Sequence, residues 1–172
     1  MATKTSTRDE DIKTLGEKIK SVRFAMLTTI ESDGTLKSRP MTTQEAEFDG
    51  DLWFFVGLDG DSVASIKANE NVNLGYAKPD DNLYVSVTGK AEILQDDAKK
   101  KEFWNPLFKA WFPDGLEDPN LGLIKVTVTS AEYWDSPSSL VVTLVGFAKA
   151  LITHKEYDGG DSQNKEIELT KK

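Results

Sequence analysis

Apolar residues recur along the chain at two different spacings, and the switches between them divide it into elements. Ile12, Leu15 and Ile19 stand at helical spacing with lysines between them, behind Ser6, Thr7 and the acidic run Asp9-Glu10-Asp11. This predicts an amphipathic first helix ending near Lys20. Residues 22–30 are mainly apolar or β-branched, Glu31-Ser32-Asp33-Gly34 carries turn chemistry, and 35–47 returns as an antiparallel strand, so the segment predicts a hairpin. After a second turn at 48–51, the run Leu52-Trp53-Phe54-Phe55-Val56 is too short and too closely bounded by glycines for a helix and predicts a buried strand. Residues 61–68, with Asp61 or Ser62 as cap and Val63 and Ile66 on one side, predict a short helix that Asn69 and Asn71 stop.

Two more strands, 72–77 and 83–94, flank the turn Lys78-Pro79-Asp80-Asp81, and Gly89 marks a bulge or bend in the second. Asp96 opens a lysine-rich helix that leads into Phe103, Trp104, Leu107, Phe108, Trp111 and Phe112, interrupted by Pro106 and Pro113. So many large rings need cover, and the segment reads as a helical flap lying against the barrel or against a partner chain. Residues 123–129 and 131–135 alternate as a late strand, and 140–152 is apolar enough for a buried helix or strand. The expected organisation is one domain over 1–154 and a flexible polar tail over 155–172. Helix, meander strands, one short helical crossing, a helical excursion and a return strand suit a mainly β (α+β) fold, a small antiparallel barrel with flanking helices, better than a parallel α/β sheet.

Composition narrows the function classes. A chain of 172 residues fits one well-filled domain. Its net charge of -8 argues against nucleic acid or an anionic membrane as partner. With no cysteine there are no disulfides and no thiolate metal site, so redox chemistry would need a cofactor. The first residues are polar and charged with no signal-like apolar stretch, and the expected location is cytoplasmic. The single histidine, His154, leaves little basis for a metal centre or a Ser-His-Asp triad, and neither a P-loop nor a dinucleotide fingerprint is present.

One polar stretch interrupts the otherwise core-forming hairpin, namely Lys37-Ser38-Arg39-Pro40-Met41-Thr42-Thr43. A guanidinium on a barrel strand needs an anionic partner, either a carboxylate of the chain or a bound anion. The segment Ser38-Arg39-Pro40-Met41, the strand at Leu52-Trp53-Phe54-Phe55-Val56, Ile66 and Asn69 followed by Val72-Asn73-Leu74-Gly75-Tyr76, the strand beginning Tyr84-Val85-Ser86, and the late Ala131-Glu132-Tyr133-Trp134-Asp135 stand in order at family spacing. Together they resemble the general stress protein branch of the pyridoxamine 5′-phosphate oxidase-like, FMN-binding split-barrel families.

That resemblance implies an antiparallel split β-barrel with flanking helices, working as a homodimer with FMN in grooves between protomers. Carried over by position, Arg39, Pro40, Met41 and Thr42 match the strand lining the flavin and reaching its phosphate. Phe55 and Val56 match the following strand, Ser62 the short helix that supplies phosphate contacts, and Trp134 a late aromatic near the flavin in related oxidases. Relatives often carry Lys or Arg where this chain has Asp61, Ser62 and Val63, and the oxidases carry another Lys near Gln44 or Glu45. A phosphate here would therefore rely on Arg39, hydroxyls and backbone N–H groups, with Lys67 as a substitute cation. Ser136-Pro137-Ser138-Ser139 stands where the vitamin B6 substrate residues of true oxidases would follow, which points away from that substrate. The leading expectation is an FMN-dependent oxidoreductase with an unidentified small-molecule substrate. Its rivals are a non-catalytic dimeric split barrel that binds flavin weakly or not at all, and a barrel holding a deazaflavin or haem.

Overall fold

The computed structural model describes residues 7–44, 46–135 and 163–169. Helix α1 (Arg8–Ile19) begins as its sequence dictates: Thr7 Oγ1 accepts from the Glu10 amide, and the Glu10 carboxylate accepts from the Thr7 amide at 2.8 Å. Its apolar side buries Leu15 and Ile19. The strands follow as β1 (Phe24–Ile30), β2 (Leu36–Thr42), β3 (Asp51–Gly57), β4 (Asn71–Lys78), β5 (Leu83–Leu94), β6 (Leu121–Asp135) and β7 (Gln163–Glu168), with α2 (Asp61–Ala68) between β3 and β4 and α3 (Asp97–Phe103) after β5.

All pairings among the described residues are antiparallel, in the order β2-β1-β4-β5-β6-β3, with β7 also on β6. The sheet curls until β2 and β3 at its two ends approach one another, which makes the half-barrel that the pattern predicts. Alternate residues of every central strand, among them Leu27, Phe54, Leu74, Val87 and Val126, fill the interior. Within this core the Tyr76 hydroxyl has no hydrogen-bond partner among the described residues, and burial pushes its pKa upward. Tyr76→Phe is therefore expected to raise stability by about 1 kcal/mol, because a buried hydroxyl without a partner is a desolvation penalty with no return; denaturant unfolding measures it.

The hairpin differs from expectation at its far end. β2 stops at Thr42 instead of continuing to 47, because its partner β1 begins at Phe24, opposite Thr42. Thr43 then ties the chain down, its amide donating to Arg23 O and its hydroxyl to Val22 O. Gly34 takes φ +83° in the turn, a conformation glycine supplies without strain. β7 lies within the stretch read as a polar tail. Its Ile167 and the following Leu169 are buried while Glu166 and Glu168 are exposed, so alternation is present but too short and too charged to register as a strand in sequence. The apolar run at 140–152 and His154 lie outside the described residues.

The aromatic flap packs on the barrel of its own chain. Trp53 meets Phe103 at 5.6 Å between ring centroids, and Phe55 meets Trp104 at 5.8 Å and Phe108 at 5.0 Å. α3 and the turn Pro106–Ala110 thus cover the outer side of β3, and Phe112 is buried with them.

Candidate functional site

The β1–β2 register sorts the polar stretch. Arg39 stands opposite Leu27 and Met41 opposite Ala25, both inward positions, whereas Pro40 faces Met26 and Thr42 faces Phe24 on the outer surface. Side chains of one strand alternate between faces. Arg39 and Met41 therefore share the inner side, and Pro40 and Thr42 the outer.

The inner group is built around the guanidinium. Arg39 Nη1 donates to Thr29 Oγ1 at 3.1 Å. Thr29 Oγ1 donates on to Glu31 Oε1 at 3.1 Å, and Ser65 Oγ, from α2, donates to the same carboxylate oxygen at 3.0 Å. Arg39 Nη2 lies 3.6 Å from Glu31 Oε1, an ion pair without a hydrogen bond. Nη2 is itself buried and has no acceptor among the described residues. A forked, permanently charged group is thus held at one nitrogen, neutralised at a distance, and left with N–H capacity unused.

α2 brings the second part of the site. Lys37 of β2 pairs with Asp61 at 3.3 Å, which sets the N-terminus of α2 beside β2, and Ser62 is buried in that first turn. The cap expected at Asp61 or Ser62 is instead Gly60, whose lack of a side chain leaves the first turn with no side-chain cap, while the Val63 amide donates to Gly60 O at 3.0 Å. Lys67 stands in the last turn of α2, exposed, beside Glu70 and Glu92. The helix thus separates Lys67 from the end that meets Lys37.

The outer group is a pair of rows running across the sheet. Thr42 is opposite Phe24; Ala77 is opposite Tyr84, and Tyr84 opposite Trp134. Beside them, Pro40 is opposite Met26, Met26 opposite Gly75, and Gly75 opposite Ser86. Phe24, Met26, Tyr84 and Trp134 remain 56%, 45%, 44% and 39% exposed, and a Cβ added at Gly75 would meet nothing, so the rings surround an open floor. Trp134 is accordingly a surface residue, not a core one. On β3, Val56 points into the core while Phe55 lies under Trp104 and Phe108.

Sequence reasoning singled out Arg39 but not Thr29, Glu31 or Ser65. The signal was available: with Leu27 opposite Arg39, period two puts Thr29 and Glu31 on the same face.

Comparison with known proteins agrees with this fold. Protein bli-3 of Neurospora crassa is 32% identical over 157 residues, covering 86% of this chain and 75% of that protein. The crystal structure of the general stress FMN/FAD binding protein of Xanthomonas citri superposes with a TM-score of 0.66 at 30% identity, covering 77% of this chain and 93% of the other. General Stress Protein 26 of Bacillus anthracis str. Sterne does so with a TM-score of 0.62 at 30% identity, covering 72% and 91%. The family described as pyridoxamine 5′-phosphate oxidase like matches residues 10–158, most of the chain and every strand from β1 to β6. On that match and on the split barrel beneath it, this chain belongs to the pyridoxamine 5′-phosphate oxidase-like family.

Proposed function

We propose that the chain binds FMN as a dimer and serves as a flavin-dependent oxidoreductase acting on a small molecule. The observation that carries this reading is the buried Arg39 Nη2 with no acceptor among the described residues, because a guanidinium N–H out of contact with water is a standing site for an anionic oxygen. The phosphate would be held by Arg39, with Ser62 and the uncapped N–H groups of α2 as further donors. Lys67, at the far end of α2, is a weaker choice than sequence alone suggested. Bound flavin supplies hydride and electron transfer; the protein contributes orientation, exclusion of water and hydrogen bonds to the ring.

The outer rows supply the reason for a dimer. Phe24, Met26, Pro40, Tyr84 and Trp134 form an exposed apolar face, edged by the Arg23 guanidinium 5.6 Å from the Phe24 ring centroid, and such a face seeks a second copy. It also carries Thr42, so the proposed FMN groove would be bordered by both the inner guanidinium and the paired outer faces. Met26→Glu is expected to convert a dimer to a monomer in sedimentation equilibrium while the far-ultraviolet circular dichroism stays the same; a dimer that survives the substitution places the interface elsewhere.

The test of the function is the visible spectrum of the freshly purified protein, followed by calorimetric titration with FMN and with riboflavin. Bound yellow chromophore, or FMN binding in the micromolar range or tighter with riboflavin weaker, supports the reading. Absence of both supports a non-catalytic dimeric barrel. That second reading rests on Asp61, which sets a carboxylate at the start of α2, and on the neutralisation of Arg39 by Glu31.

A further inference from the structure

We infer that Glu31 is a fixed counter-anion that limits how tightly Arg39 can hold a phosphate, making it a specificity-determining residue of this site. The inference rests on the flavin reading above. The carboxylate is the only acid paired with Arg39 among the described residues, at 3.6 Å. It is held in place, because Thr29 and Ser65 both meet the same oxygen at 3.1 and 3.0 Å, one from the sheet and one from α2. The single Ser65 hydroxyl proton is shared between Glu31 Oε1 and Asp61 O, which lies 2.9 Å from the same Oγ.

This clamp acts on both the empty and the occupied site. Before ligand binds, Glu31 keeps a largely buried cation paired, and a guanidinium left alone there would be heavily penalised. When a phosphate takes the free N–H of Nη2, it comes within a few ångströms of the Glu31 carboxylate, which Thr29 and Ser65 hold beside it. Repulsion at that range, in a partly desolvated groove, is not screened by salt as a surface pair would be. The repulsion acts on the phosphate alone, so it separates phosphorylated from unphosphorylated flavins less sharply than an uncompensated Arg39 would. Glu31 acts through Arg39 and the ligand charge, and its role is distinct from holding the fold.

Glu31→Gln isolates the charge, since the amide oxygen still accepts from Thr29 and Ser65. On purified full-length protein, E31Q is expected to bind FMN about ten-fold more tightly than the native chain, with riboflavin affinity unchanged. Glu31→Asp, which keeps the charge, is expected not to tighten FMN binding. If E31Q does not fold, Ser65→Ala takes its place: the carboxylate is released from α2 and FMN affinity rises about three-fold. Equal or weaker FMN binding by E31Q, while the native chain binds FMN and Arg39→Gln does not, overturns the role of Glu31 and leaves the flavin reading standing. Failure of the native chain to bind FMN at all overturns both.

Discussion

Arg39→Gln is expected to weaken FMN binding by about 30-fold or more and to leave riboflavin binding within about two-fold of the native chain. The size follows from the bond that the substitution removes. A charge-assisted hydrogen bond to phosphate is worth about 2–3 kcal/mol in a partly desolvated site, and each 1.4 kcal/mol is about a factor of ten. No neighbouring cation among the described residues is placed to compensate: Lys37 is engaged by Asp61, and Lys67 faces solvent at the other end of α2. Gln is chosen over Ala because it keeps a polar group that can still bond to Thr29, so the fold is disturbed least. Calorimetric titration with both flavins reads the result. Equal loss for FMN and riboflavin would mean that Arg39 supports the barrel and not the phosphate.

Gly89→Ala is expected to destabilise the protein by about 3 kcal/mol, which for a chain of this length lowers the melting temperature by about 6–12 °C. The pairing of β5 with β6 slips between Thr88 and Gly89, a bulge that presses the strand against its neighbour. A Cβ at position 89 would sit 2.6 Å from Thr127 O and 2.7 Å from Val126 Cγ1. The first of these is backbone in the middle of the longest described strand, and it can withdraw only by bending β6, which carries β3, β5 and β7 at once. Thermal unfolding followed by circular dichroism measures the shift. A change below about 1 kcal/mol would mean that the sheet yields there more readily than the close approach implies.

Much of this architecture is legible from residue order. The glycine-bounded run 52–56, the alternation at 84–88 and the Asp96 cap each commit their segment locally, and the structure has β3, β5 and α3 there. Gly89 was legible as a bulge or bend, since a glycine inside an alternating strand has few other uses. What was not legible depends on which strand pairs with which. The early stop of β2 comes from where β1 begins, a fact about a partner strand. β7 and the residue after it hold only two buried apolar side chains, Ile167 and Leu169, and the segment becomes a strand because β6 offers it an edge from Ser130 to Asp135. It is fixed further from α1, through Lys165 with Asp11 at 3.0 Å and Arg8 Nε with Leu169 O at 3.4 Å.

The site divides in the same way. Arg39 stands out by type, an always-charged side chain on a strand that should bury its neighbours. Glu31 hides inside turn chemistry and Thr29 inside a β-branched run, so both look fully explained before the register is known. Of the residues matched through family resemblance, the four on β2 occupy its two sides, Arg39 and Met41 within and Pro40 and Thr42 without, and Trp134 of β6 lies on the outer side, while Phe55, Val56 and Ser62 stand on β3 and α2. That division is what ties the proposed phosphate site and the proposed dimer face to the same few residues.

The most direct measurement of the central claim is a crystal structure of the protein grown with FMN. The expected result is two copies packed through the Phe24, Met26, Tyr84 and Trp134 face, with a phosphate oxygen within hydrogen-bond distance of Arg39 Nη2. Flavin density whose phosphate lies away from Arg39, with the guanidinium still turned only to Thr29 and Glu31, would contradict it.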